Sequence, residues 1–180
     1  DIDLDLRFGA GRTDDKCRSA LQFVIHDVLA FQLHLLRAAA LLHGVGKFFS
    51  LRAGKLYNYE LIQATDFLGF GPDAQQTIAS VSYLFSLPSP DALSPEAYDR
   101  EISATPAVAK LAAILRLADA LDVSRKQKIT GCRTVMKENQ FRVIVTSRED
   151  LSLERWTFEK QSGFFEEVFG LTPILEQVER

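Results

Sequence analysis

The segment Thr105-Pro106-Ala107-Val108-Ala109-Lys110-Leu111-Ala112-Ala113-Ile114-Leu115-Arg116-Leu117-Ala118-Asp119-Ala120-Leu121-Asp122 sets the architecture. Thr105 stands where an N-cap hydroxyl is wanted, and Pro106 where a missing N–H costs nothing. Val108, Leu111, Ala112, Leu115, Ala118 and Leu121 recur at helical spacing, which predicts a long helix packed against others. Beyond Ser124 the period changes. Lys128-Ile129-Thr130-Gly131-Cys132-Arg133-Thr134-Val135 and Phe141-Arg142-Val143-Ile144-Val145-Thr146 are rich in β-branched residues, with Glu138-Asn139 as a hairpin turn. Leu151 to Phe169 returns to helical spacing, with Trp156, Phe164, Phe165, Val168 and Phe169 on the predicted packing side. Gly170 ends that helix, and Leu171-Thr172-Pro173-Ile174-Leu175 supplies a last strand.

Upstream the pattern is helical. Ala20, Leu21, Val24, Ile25, Val28, Leu29 and Phe31 form one apolar stripe. Gln32 to His43 is apolar almost all round and stops at Gly44-Val45-Gly46. Tyr57 to Thr65 reads as a short helix. Pro72-Asp73 opens another, which Pro88 and Pro90 terminate. Asp91 to Ser103 is a connector. The expected organisation is mainly α: a helical domain over residues 1–125, then a small α+β (β-β-α-β) unit over residues 126–180.

The chain has 180 residues, 47% of them hydrophobic and 25% charged, the balance of a folded protein. No apolar run is long enough to span a bilayer. A net charge of -3 argues against a dedicated nucleic-acid binder. Cys17 and Cys132 form neither a zinc motif nor a disulfide framework, which suggests a reducing, cytoplasmic location. Asp1-Ile2-Asp3-Leu4-Asp5-Leu6 has no leader character and reads as the start of a fragment.

No catalytic set emerges from the residues themselves. His34 and His43, if on one helix, point to opposite faces. Arg116 and Asp119 are neighbours at helical spacing, which suggests an internal ion pair. Arg125-Lys126-Gln127-Lys128 is a short basic run able to receive phosphates. Gly44-Val45-Gly46-Lys47 lacks the spacing of a phosphate-binding loop.

Several segments together resemble one family. Leu35-Leu36-Arg37-Ala38-Ala39-Ala40-Leu41-Leu42-His43-Gly44-Val45-Gly46 looks like the end of the helix that carries the His-Asp pair of HD-type domains. Tyr57-Asn58-Tyr59-Glu60-Leu61-Ile62, Gly69-Phe70-Gly71 and Ile78-Ala79-Ser80-Val81 follow in the right order. Ala112 to Asp122 is the most specific block, and Glu154-Arg155-Trp156 with Phe164 to Gly170 resembles the tail. The pattern is similar to the C-terminal region of the exopolyphosphatase/guanosine pentaphosphate phosphohydrolase (Ppx/GppA) family. The resemblance implies an HD-like helical domain with a small α/β appendage. It also implies that hydrolysis resides in an N-terminal pair of actin-like domains, with a catalytic carboxylate and magnesium. The C-terminal region would contribute to a homodimer and to basic surface along a polyphosphate path.

The departures from that pattern matter. An HD metal site needs a histidine, an adjacent His-Asp pair and a distant aspartate. Here the pair is His43-Gly44, and Arg52-Ala53-Gly54-Lys55-Leu56-Tyr57-Asn58 stands where further histidines are expected. Leu84-Phe85 follows Tyr83 where another would fall. The expectation is a degenerate HD site with no catalytic residue and no metal or other cofactor, in a non-catalytic module for dimerisation and anion binding. Lys47, Arg52, Lys55, Arg125, Lys126 and Lys128 are its candidate contacts to polyphosphate or a phosphorylated ligand; neither nucleic acid nor membrane is expected as a partner. The alternative is a stand-alone HD-type phosphohydrolase acting on nucleotides or polyphosphate. In that case His43 and Asp119 hold Mg²⁺ or Mn²⁺, helped by His26 or His34. A third reading is a dimerisation module without anion affinity.

Overall fold

The computed structural model describes residues 30–49, 54–65, 69–87 and 105–179. The predicted stripe from Ala20 to Leu29 and the connector Asp91 to Ser103 lie outside them. Among the described residues the order is α1 (Ala30–Leu42), a 3-10 turn (Val45–Phe48), α2 (Gly54–Ala64), α3 (Pro72–Phe85), α4 (Pro106–Ala120), β1 (Gly131–Lys137), β2 (Gln140–Thr146), α5 (Ser152–Phe169) and β3 (Thr172–Val178). The fold is mainly α with a small three-stranded α+β unit. Chain contacts divide it into two compact units, Ile25–Leu115 and, for the C-terminal part, Arg116–Arg180, so the division falls inside α4.

In the first unit, Leu35, Leu36 and Ala39 of α1, Ile62 of α2, and Ile78, Val81 and Leu84 of α3 are buried. These are the positions that the 3.6-residue period places on one side of each helix. Gln75 on α3 donates through Nε2 to the carbonyls of Ile62, Gln63 and Thr65, occupying the acceptors that α2 leaves open at its C-terminus. α4 starts as expected: Thr105 Oγ1 accepts from the Val108 N–H at 3.3 Å, with Pro106 as first helical residue.

In the second unit β1 and β2 form an antiparallel hairpin, with Cys132 opposite Val145 and Lys137 opposite Gln140. The turn at Glu138-Asn139 places Glu138 at φ 52. After α5, β3 returns parallel to β2, in sheet order β1-β2-β3, with Val143 beside Leu175. Phe141, Val143, Val145 and Leu175 are buried, as are Phe158, Phe164 and Phe165 of α5. Phe165 stacks on Phe141 at 5.3 Å and on Phe169 at 4.5 Å.

Trp156 departs from the expected packing side: it is 60% exposed, with Lys160 Nζ 5.4 Å from its ring centroid. The buried stripe of α5 runs through Glu154, Phe158 and Phe165. Two residues from Phe158, at about 100° per residue, Trp156 faces the other way.

Cys132 lies on the sheet face that carries Val145, and burial pushes its thiol up to about 12. The thiolate is the reactive form. In a Cys17→Ser variant, Cys132 is therefore expected to resist a thiol reagent at pH 8 while folded and to react fully in denaturant; rapid labelling of the folded chain would contradict this burial.

Candidate functional site

Two regions gather the residues singled out by sequence. The first is the end of α1. His43 lies just past the helix, its N–H still bonded to the Ala39 carbonyl at 2.8 Å. Its Nδ1 donates to the Ala40 carbonyl at 2.8 Å, and its ring meets Phe85 edge-on at 4.6 Å. A carbonyl only accepts, so Nδ1 carries the hydrogen and the lone pair of the neutral ring is on Nε2.

The chain then turns through Gly44 into the 3-10 segment, which presses on the start of α2. The Gly46 N–H donates to Asn58 Oδ1 at 3.0 Å, and a Cβ on Gly46 would lie 2.1 Å from the Gly54 carbonyl oxygen. Asn58 is buried, and its Nδ2 has no hydrogen-bond partner among the described residues. Lys47 is exposed on the turn. Arg52 and the Lys55 side chain lie outside the described residues, as does His26, while His34 is exposed on α1.

The second region runs from the end of α4 to the start of β1. Asp119 does not take the Arg116 partner that helical spacing suggests. Its Oδ1 accepts from Arg125 Nη2 at 2.5 Å. Arg116 is instead buried, with its guanidinium 4.7 Å from the Phe164 ring centroid, and burial pulls its pKa down to about 10. It remains a cation at neutral pH.

The basic run adopts a conformation that its composition does not announce. Arg125 and Gln127 have φ of 55 and 52, in the left-handed region, and Asp122 Oδ1 accepts the Gln127 N–H at 2.9 Å. Lys126, between them, is exposed. Lys128 points elsewhere. Its Nζ donates to Glu154 Oε2 at 3.0 Å and to the Asp150 carbonyl at 2.7 Å.

Glu154 is the residue that sequence reasoning missed as a local centre. It is 1% exposed, accepts from the Ser124 hydroxyl as well as from Lys128, and ties the α4–β1 connection to the first turn of α5. Burial pushes its pKa up, but the Ser124 and Lys128 hydrogen bonds outweigh that and hold it below the ordinary glutamate value. Its sequence signal is slight: an acid in the first turn of a helix, where surface placement is the ordinary outcome.

His43 belongs to the first unit and Asp119 to the second. Among the described residues no group of three His, Cys, Asp or Glu side chains is arranged to hold a metal ion. No described helix is long and apolar enough to cross a membrane.

A helical unit followed by a ββαβ unit, with Arg125 and Lys128 of the basic run in ion pairs, defines the class: a mainly α module with a small α+β end. Compared with models of known families, residues 22–162 match the Ppx/GppA phosphatase, domain III. The chain belongs to the Ppx/GppA family. The match ends inside α5, so β3 lies beyond it. A search of curated proteins finds no match.

Proposed function

We propose that the chain is a non-catalytic C-terminal module of an exopolyphosphatase-like protein, serving dimerisation and contact with polyphosphate or another phosphorylated ligand. The observation that carries this reading is the family match over residues 22–162. A cytoplasmic location and hydrolysis by an N-terminal actin-like half belong to the same reading.

The donor set does not fit an HD-type ion. Gly44 offers no oxygen beside His43, and the Asp119 carboxylate is held by Arg125. His43 and Asp119 alone are two ligands, where catalytic sites typically use three protein ligands.

The anion candidates separate by their surroundings. Lys128 already serves Glu154, and Arg125, though exposed, pairs with Asp119, whereas Lys47 and Lys126 are exposed and form no ion pair among the described residues. Titrating the full chain with labelled polyphosphate at rising salt should give affinity that falls steeply, by the counterion release that operates on nucleic-acid phosphates. Lys126→Ala should weaken binding about threefold at low salt and leave stability unchanged. Lys128→Ala should lower stability without that selective loss. Absence of binding at low salt, or metal-dependent hydrolysis of polyphosphate or nucleotides by this chain alone, would overturn the reading.

A further inference from the structure

The end of α4 carries charge against its own dipole. Asp119 lies in the last turn, and Asp122 follows one turn later, its N–H bonded to the Asp119 carbonyl at 3.2 Å. A helix C-terminus disfavours negative charge, and no basic residue stands in that last turn to offset it. Both carboxylates are held by the loop beyond. Arg125 Nη2 donates to Asp119 Oδ1 at 2.5 Å, and the Gln127 N–H donates to Asp122 Oδ1 at 2.9 Å.

The donors of that loop are the ones an oxyanion takes. Arg125 and Gln127 have φ of 55 and 52, and Lys126 between them does not share the positive sign. Alternation of this kind is the backbone pattern of anion-binding nests. Positive φ is uncommon away from glycine and gathers where a ligand is clamped. The Arg125 side chain is 53% exposed, and Lys126 is exposed and in no ion pair among the described residues, so the loop is open to solvent. Guanidinium, ammonium and backbone N–H groups accept carboxylate and phosphate oxygens alike. The two aspartates therefore sit where phosphate oxygens would, and they sit there at an unfavourable helix end.

We propose that the Arg125 guanidinium, Lys126 and the Gln127 N–H form an oxyanion site for one phosphate unit of polyphosphate, and that Asp119 and Asp122 are its internal occupants, displaced when the ligand binds. This rests on the phosphorylated-ligand reading above and gives that ligand a place in the fold. Lys128 stands outside the site, because its ammonium holds Glu154. The internal acids hold the affinity down, so weakening them strengthens binding.

The test titrates labelled polyphosphate into the full chain at about 0.1 M salt, where charge is screened beyond about 10 Å, followed by fluorescence anisotropy. Asp119→Asn should bind about fivefold more tightly than wild type, and Asp119→Asn with Asp122→Asn about tenfold, at unchanged far-UV circular dichroism. Each amide keeps the shape and one acceptor oxygen, so the loop is retained. Glu167→Gln removes the same charge from an exposed position about 20 Å along α5 from Glu154, and should change affinity less than twofold. In an Arg125→Ala background the gain from Asp119→Asn should fall below twofold. A gain undiminished in that background, or equalled by Glu167→Gln, would be a bulk charge effect and would overturn the proposal. Binding by wild type with no gain in either amide variant would overturn it alone and leave the phosphorylated-ligand reading standing. Binding by the double variant but not by wild type would support the internal occupants and overturn that reading for the native chain. Absence of binding by every variant would overturn both.

Discussion

Replacing Glu154 by alanine is expected to destabilise the C-terminal unit by about 3 kcal/mol, the lower end of the cost of removing one partner from a buried ion pair. The lower end applies because the Lys128 side chain keeps 17% exposure and would retain its bond to the Asp150 carbonyl. The loss also leaves the Ser124 hydroxyl without its acceptor. Glu154→Gln keeps shape and an acceptor and should cost about half as much.

The pH dependence follows from the depressed glutamate. Its folded pKa lies below the ordinary value of 4.5, so its contribution is complete above that pH and is lost as pH falls through the folded value. Urea unfolding at pH 7 and at pH 3 should therefore separate wild type from Glu154→Gln more widely at the higher pH. A Glu154→Ala variant as stable as wild type at pH 7 would show that the Lys128–Glu154–Ser124 link holds nothing.

The other large effect is expected at Gly46. An added methyl would sit 2.1 Å from the Gly54 carbonyl oxygen and 2.4 Å from the Asn58 nitrogen, both backbone atoms that cannot rotate aside. Overpacking typically costs 1–3 kcal/mol, and a backbone clash with loss of the Asn58 bond places Gly46→Ala at about 3 kcal/mol. Gly44→Ala is the control. Among the described residues nothing lies within 4 Å of its added carbon, and its φ of -105 suits any residue, so the change should stay within about 0.5 kcal/mol. Thermal unfolding followed by circular dichroism distinguishes the pair. Equal effects at both glycines would contradict the close approach of the turn to α2.

Much of the fold was legible because its helices and strands are periodic. Pro72, Thr105-Pro106 and Gly170 punctuate the chain where the structure begins or ends helices, and Gly170 at φ 68 is a left-handed C-cap. The start of α2 was hidden. It lies at Gly54, three residues before the predicted Tyr57, because a poor helix former is needed where Lys47 comes within 3.2 Å of an added carbon. β3 extends past Leu175 through Glu176-Gln177-Val178, residues of modest strand preference that tertiary contacts hold. Glu176 pairs with Arg142 at 3.1 Å, and Gln177 donates to the Ser147 and Glu149 carbonyls.

The site was less legible than the fold. Spacing proposed Arg116 for Asp119, whereas the left-handed loop returns Arg125 to it, a pairing set by backbone geometry that composition does not encode. The same limit hid Glu154, whose partners lie 26 and 30 residues away in the chain.

The proposal that this domain keeps the family's packing without an HD-type metal centre is tested most directly by elemental analysis of the full chain purified without chelator. The account predicts well under one divalent ion per chain, unchanged by His43→Ala or Asp119→Ala. One ion per chain, lost in both variants, would contradict it.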